Sequence, residues 1–106
     1  MDGGLFFSLG VVVQTLTPDI ARRLGLDDVN ANGVLISSVN PSSRAAATGI
    51  EQGDIILSIN QRATRTPEDV AAAVAAALSA GRDTVLLLIR RGNTPPARYT
   101  VVLVRR

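Results

Sequence analysis

Short aliphatic runs, each ended by a turn signal, are the feature of this sequence that most limits its fold. Runs rich in Val, Leu and Ile alternate with Gly, Pro, Asn and Ser along the 106 residues, and such runs predict β-strands. The predicted strands cover residues 9–14, 34–39, 55–59, 84–90 and 99–104. Between the last two lies the segment Gly-Asn-Thr-Pro-Pro, which predicts a turn, so these two strands should form a hairpin.

One long helix is predicted between the third and fourth strands. Thr66 is a cap residue, Pro67 suits a first helical turn, and two acidic residues follow. Val70, Val74 and Leu78 then recur four residues apart, with alanines between them. Shorter helices are predicted over residues 18–24 and 44–48. These short connections do not suit a parallel sheet, so the sequence predicts a small α+β domain with a mostly antiparallel, partly closed sheet.

The residue types that are missing exclude most catalytic sites. The chain has no His and no Cys, and its eleven basic residues are all Arg. A Ser–His–Asp triad, a Cys–His pair and a Ser–Lys dyad are therefore impossible within it, as is a P-loop. Most zinc sites also need His or Cys. The sequence predicts no catalytic residue, no metal and no cofactor, and indicates a protein that acts by binding rather than a small enzyme.

The charge pattern argues against nucleic acids and membranes as partners. The formal net charge is +2, and the three arginine pairs are not interleaved with the aromatic residues that nucleic-acid surfaces usually use. The apolar run over residues 5–13 is interrupted by Ser and Gly and is too short to span a bilayer. Asp2 precedes it in place of basic residues, which makes it a poor signal peptide. We expect no nucleic-acid binding and no membrane insertion of this segment.

The acidic residues and most glycines have structural explanations. Asp54 follows a glycine and leads into a buried strand, so its carboxylate is expected to cap turn amides. Glu68 and Asp69 stabilise the start of the long helix. Gly10 differs, because it lies inside an apolar run. It permits either a tight loop whose successive N–H groups bind an anion or a β-bulge, and the sequence leaves both open.

A family resemblance is concentrated in residues 40–60. This segment has a Pro-Ser start, paired alanines, a Gly-Ile pair, then Gly-Asp-Ile-Ile and a closing Ile-Asn, and it closely resembles the PDZ-domain signature. Upstream, Ser8-Leu9-Gly10-Val11 resembles the carboxylate-binding loop of that family, and the helix from Pro67 resembles its groove helix. The Leu-Gly-Val-Val-Val-Gln run and the Leu-Thr-Pro after it are most similar to PDZ domains of bacterial HtrA/Deg-type trypsin-like serine proteases.

The resemblance implies the extent and the architecture of the domain. A single PDZ domain would cover residues 8–104, with residues 1–7 as an N-terminal extension or expression-derived residues. Its fold would be a PDZ-like, partly open, mostly antiparallel β-barrel or sandwich of five to six strands. One long groove helix and one or two short helices would accompany the strands.

The resemblance also implies a function and a set of site residues. The domain would recognise hydrophobic C-terminal peptides of protein substrates or regulators by β-strand addition. The implied carboxylate-binding loop is Ser8, Leu9, Gly10 and Val11, and the implied peptide groove is Val11, Val12, Val13, Ala71, Val74 and Leu78. Pro67 stands where a His would select Ser or Thr ligands, so that specificity class is not expected. Asn60 is followed by Gln61 where the family often has Gly, which puts the geometry of that turn in doubt.

The implied parent is a HtrA/Deg-type serine endopeptidase of bacterial protein quality control, located in the periplasm or cell envelope. Its protease domain would be a partner within the same chain. An alternative also stays open, in which the domain contacts neighbouring subunits of an oligomeric protease and binds peptides weakly.

Overall fold

The computed structural model describes residues 5–6, 10–26, 33–91 and 94–103. In chain order its elements are β1 (Leu5–Phe6), β2 (Val11–Thr15), α1 (Pro18–Arg23), β3 (Val34–Val39), α2 (Arg44–Ala47), β4 (Asp54–Ile59), β5 (Arg62–Ala63), α3 (Pro67–Ser79), β6 (Thr84–Arg91) and β7 (Thr94–Leu103).

The strands form one open sheet in the order β1-β2-β3-β4-β6-β7, with β5 paired to β4. Every strand pair in the described residues is antiparallel, including the predicted hairpin of β6 and β7. The predicted α+β class is confirmed, and the sheet is open rather than a closed barrel. The short strands β1 and β5, of two residues each, have no recognisable sequence pattern and were not among the strands predicted from the sequence.

The predicted turn before the last strand is wrong at Pro95 and Pro96. Both prolines belong to β7, which begins at Thr94. The register there jumps from the Arg91–Thr94 pair to the Ile89–Arg98 pair, so the prolines lie in an irregular stretch of an outer strand. Proline is tolerated at such places because no ladder hydrogen bond depends on its missing N–H.

The sheet is covered on both faces by two apolar clusters. Along β3, Val34 and Ile36 belong to the main cluster under α3, whereas Leu35 belongs to a second cluster with Ala21 of α1. This alternation follows from the opposite directions of successive side chains in a strand. It explains why the central strands are aliphatic on both faces rather than alternately polar.

The carboxylate of Asp54 fastens the loop before β4 to β6. Its side chain is 2% exposed, and Oδ2 accepts from the backbone N–H of Glu51 at 2.9 Å. Arg91 donates from Nε to Oδ1 at 2.9 Å and from Nη2 to the carbonyl of Gly49 at 2.8 Å. The hydrogen bond that Arg91 donates to the Asp54 carboxylate raises the pKa of Arg91. The prediction that Asp54 caps turn amides is confirmed, and the carboxylate has a structural role.

The turn between β4 and β5 is left-handed at two consecutive residues. Asn60 has φ 51° and Gln61 has φ 67°. The side chain of Asn60 accepts from the backbone N–H of Leu86 at 2.9 Å, which fixes the turn against β6. Gln61 thus adopts the conformation for which the family often uses Gly, and the turn keeps its tight form despite the substitution.

Candidate functional site

The helix beside the candidate groove is fixed at its first turn. The hydroxyl of Thr66 accepts from the backbone N–H of Asp69 at 3.2 Å. The carboxylate of Asp69 in turn accepts from the backbone N–H groups of Arg65 at 2.9 Å and Thr66 at 3.3 Å. This capping box satisfies donors that a helix start leaves unpaired. It holds α3 in place as it packs against β2, β4 and β6.

The backbone of β2 directs alternate hydrogen-bonding groups to its two edges. The carbonyl of Gly10 accepts from the N–H of Asn40 at 2.8 Å, and the carbonyl of Val12 accepts from the hydroxyl of Ser37 at 3.0 Å. Residues 10 and 12 therefore face β3. Because backbone groups of successive strand residues point to opposite edges, those of Val11 and Val13 face away from β3. The backbone groups of Val11 and Val13 thus form the outer edge of β2.

Ser37 is a residue that the sequence analysis missed. The register of β2 with β3 passes from the Val12–Ser38 pair to the Val13–Ile36 pair, so Ser37 is the additional residue of a bulge. Its hydroxyl donates to the carbonyl of Val12 across the two strands. A lone Ser within a strand carries no sequence signal for such a position.

β1 pairs with the outer edge of β2. Leu5 is the register partner of Val13, and Phe6 is the register partner of Val12. Both residues fall in the predicted N-terminal extension, for which no strand was expected. Two apolar residues are too few for a periodic pattern, so nothing in the sequence could have found this pairing.

The predicted groove residues divide into a buried and an accessible set. Val11, Val13 and Val74 are 1%, 0% and 6% exposed and belong to the main apolar cluster. Val12 and Ala71 are half-buried, and Leu78 is 36% exposed. The structure therefore brings Val11 and Val13 of β2 and Val74 of α3 into one cluster, whereas Val12, Ala71 and Leu78 are not part of it.

The predicted carboxylate-binding loop is only partly within the described residues. Ser8 and Leu9 lie outside them, whereas Gly10 has a φ of 84° directly before β2. A Cβ atom placed at Gly10 would lie 2.2 Å from the Cβ of Ser43. Both the backbone conformation and the close approach to Ser43 therefore require glycine. The anion-binding role of the loop stays a prediction.

Two shallow surface cavities border α3 on other sides. One is lined by residues that include Arg62, Thr64 and Asp69, and the other by residues that include Asn60 and Arg82. Neither is lined by a predicted groove residue. Within the described part of the chain, no helix is both long and apolar enough to cross a membrane.

An open antiparallel sheet in which a strand near one edge lies beside a helix is typical of domains that bind an extended chain as an added strand. The family profile of the PDZ domain matches residues 8–101. The chain belongs to the PDZ domain family and is a binding module.

Two bacterial relatives of this chain are named as proteases. The chain is 34% identical over 85 residues to a probable periplasmic serine endoprotease, DegP-like, of Chlamydia pneumoniae, across 80% of this chain and 17% of that protein. It is 37% identical over 86 residues to the protein of the same name from Rhizobium meliloti, across 81% of this chain and 16% of that protein. The chain thus spans less than a fifth of the length of either relative.

Solved structures share the fold. The HtrA3 PDZ domain bound to a phage-derived ligand, FGRWV, superposes with a TM-score of 0.72 at 24% identity, covering 94% of this chain and 84% of that one. The HtrA-type protease AlgW with a decapeptide gives a TM-score of 0.66 at 26% identity, covering 96% of this chain and 29% of that one.

Proposed function

We propose that this domain binds the C-terminal segment of a protein as an additional β-strand along the outer edge of β2. The observation that supports this function is the direction of the backbone groups of Val11 and Val13, which face away from β3. A ligand that runs antiparallel to β2 would exchange hydrogen bonds with these groups while its side chains approach α3. The HtrA-type protease AlgW, which shares this fold at 26% identity, was solved with a decapeptide, and this supports a peptide as the ligand.

We assign the carboxylate of the ligand to the backbone N–H groups of the loop Ser8, Leu9, Gly10 and Val11. The positive φ of Gly10 supports this assignment, because left-handed residues in a loop turn successive N–H groups toward one side, where an anion can accept from them. A charged acceptor makes such hydrogen bonds stronger than a neutral one would.

The last side chain of the ligand should be aliphatic or aromatic. Leu9, Val11, Val74 and Leu78 would surround it, and Ala71 would face the residue two positions earlier. All of these are apolar, and Val11 and Val74 belong to the main apolar cluster. We expect Val, Leu, Ile, Ala or Phe at the last position. Pro67 offers no side-chain hydrogen bond, so selection of Ser or Thr two residues earlier is not expected.

We further infer that the domain is the substrate-binding or regulatory part of a HtrA/Deg-type serine protease in the periplasm. Its similarity to relatives named as periplasmic serine endoproteases supports this parent. The protease domain of such a parent would be a partner within the same chain.

A paired titration tests the proposed function. A fluorescent pentapeptide that ends in Val is titrated with the whole chain, once with a free carboxylate and once with a C-terminal amide. We expect the amide to bind roughly tenfold or more weakly, because it cannot supply the charged acceptor. Equal affinities would contradict carboxylate recognition, and absence of binding across a library of hydrophobic C-termini would contradict the function itself.

A second candidate function is assembly with neighbouring protease subunits. Tyr99 and Val101, 57% and 56% exposed, lie two residues apart on the outer strand β7, which favours a contact surface there. Sedimentation of the chain over a range of concentrations distinguishes the two functions. A monomer that binds C-terminal peptides contradicts the assembly role.

A further inference from the structure

We propose that β1 is an internal competitor for the ligand, so that the domain exchanges between a self-paired form and a form open to peptides. The proposal rests on the proposed function, because it concerns the same edge of β2. Its starting observation is the register in which Leu5 lies opposite Val13 and Phe6 opposite Val12.

The competition follows from the geometry of a strand. A strand has two edges, and β3 already pairs with one edge of β2 along Val11–Thr15. The outward N–H and C=O of Val13 can take part in one ladder at a time. β1 runs antiparallel to β2, as the proposed ligand would, and it meets β2 at the same residue. Self-pairing and peptide addition at Val13 therefore exclude one another.

The competitor is short enough to be displaced. β1 contains two residues, so it forms few hydrogen bonds with β2. These bonds must offset the conformational entropy that the segment loses when it pairs. A two-stranded pairing of this size is marginal in water. A fraction of molecules then has a free outer edge, and the apparent affinity for a peptide falls in proportion to that fraction.

The register also supplies a matched pair of proline variants. Leu5 lies opposite Val13, whose backbone groups face β1, so the N–H of Leu5 belongs to the ladder. The N–H of the next residue, Phe6, points the other way. Leu5→Pro removes a donor that the pairing needs, whereas Phe6→Pro removes one that it does not need.

The first experiment titrates the Val-ended pentapeptide with the whole chain and with both variants. We expect Leu5→Pro to bind roughly threefold to tenfold more tightly than the unmodified chain, and Phe6→Pro to stay within about twofold of it. In the absence of peptide, the amide of Val13 should exchange its hydrogen faster in Leu5→Pro. Peptide binding of unchanged strength in Leu5→Pro, with unchanged exchange at Val13, would overturn the competitor and leave the proposed function standing.

The second experiment fixes β1 in place. Opposed residues of an antiparallel pair lie within disulfide distance, and the chain has no cysteine of its own. In Phe6→Cys/Val12→Cys, the oxidised form should bind the peptide at least tenfold more weakly than the reduced form of the same protein. Failure of the two thiols to cross-link, or equal binding in both forms, would overturn the proposal. If neither Leu5→Pro nor the reduced variant binds any hydrophobic C-terminus, the proposed function fails and the competitor fails with it.

Discussion

Gly10 and Ser43 approach each other so closely that a Cβ atom at position 10 would lie 2.2 Å from the Cβ of Ser43 and 2.9 Å from its Oγ. The two residues come from the turn into β2 and from the start of α2, where the Ser43 hydroxyl accepts from the N–H of Ala46 at 3.2 Å. The backbone carbonyl of Gly10 also accepts from Asn40. A substitution at Gly10 therefore disturbs the fold as well as the loop.

Gly10→Ala should lower the free energy of unfolding by about 2–4 kcal/mol, from the left-handed backbone and from overlap with Ser43. Ser43→Gly alone should cost a few tenths of a kcal/mol, because Gly is an acceptable helix cap. In the double variant the overlap disappears, so urea denaturation should show a coupling free energy of about 1 kcal/mol or more. Strictly additive losses would contradict the close approach.

The left-handed turn offers a pair of substitutions with opposite signs. Gln61→Gly should raise the free energy of unfolding by about 0.5–1 kcal/mol, because Gly adopts a positive φ without steric cost. Asn60→Gly relieves the same kind of strain but removes the hydrogen bond to Leu86, so it should lower stability by about 1 kcal/mol. Thermal unfolding of both variants checks the signs. Stabilisation by Asn60→Gly would contradict the role of its side chain.

The buried carboxylate of Asp54 should contribute more to the stability of the fold than its partner Arg91. Asp54→Ala leaves the N–H of Glu51 and the guanidinium of Arg91 without their acceptor and should cost about 3 kcal/mol of stability. Arg91→Ala should cost less, because that side chain is half-exposed and solvent can replace it. Equilibrium unfolding in urea compares them. A larger loss in Arg91→Ala would show that the contact with Gly49 dominates instead.

A negative charge introduced on α3 should weaken peptide binding only when it lies on the side of the helix that borders the candidate groove. Ala71→Glu places a carboxylate at the accessible border of the candidate groove, where it repels the anion of the ligand. We expect roughly fivefold weaker binding at low salt, and a smaller effect at high salt because ions screen the repulsion. Ala76→Glu puts the same charge on an exposed position of the same helix and should stay within about twofold. Equal losses in both variants would place the groove elsewhere.

Val70 tests the assignment of the helix faces. Its side chain is fully buried in the main cluster, so Val70→Ala should cost about 1–3 kcal/mol of stability and leave the affinity per folded molecule unchanged. Titration of the folded variant with the Val-ended peptide checks the second part. Loss of binding there would mean that Val70 and not Val74 faces the ligand.

The elements that were predicted correctly are those determined by residues close together in the sequence. The bounds of β3 agree with the prediction at both ends, and Thr66 and Pro67 begin α3 as expected. Both features depend on residues that are neighbours in the sequence, namely an aliphatic run and a helix cap. Asp54 was also recognisable, since a carboxylate after a turn glycine has few partners other than turn amides.

What the sequence could not predict depends on pairing between distant residues. Pro95 and Pro96 belong to a strand because the register of β6 and β7 tolerates them, and Ser37 serves the carbonyl of Val12 across two strands. The burial of Val13 and Val74 in one cluster is likewise a tertiary property. The pairing of β1 depends on the outer edge of β2, which forms only when β2 is placed beside β3 in the folded sheet. A pattern of two residues therefore could not predict it.

The length of β2 limits how many residues of a ligand can pair with it. The strand has five residues, Val11–Thr15, and rises about 3.3 Å per residue, so an added chain can follow it for about 17 Å. Backbone groups of alternate residues point outward, as at Val11 and Val13. Thr15 is therefore the last residue of β2 whose backbone groups could pair with an added chain. Under the proposed function, a ligand of more than about five residues would extend beyond β2, so the strand would contact only the last residues of a protein.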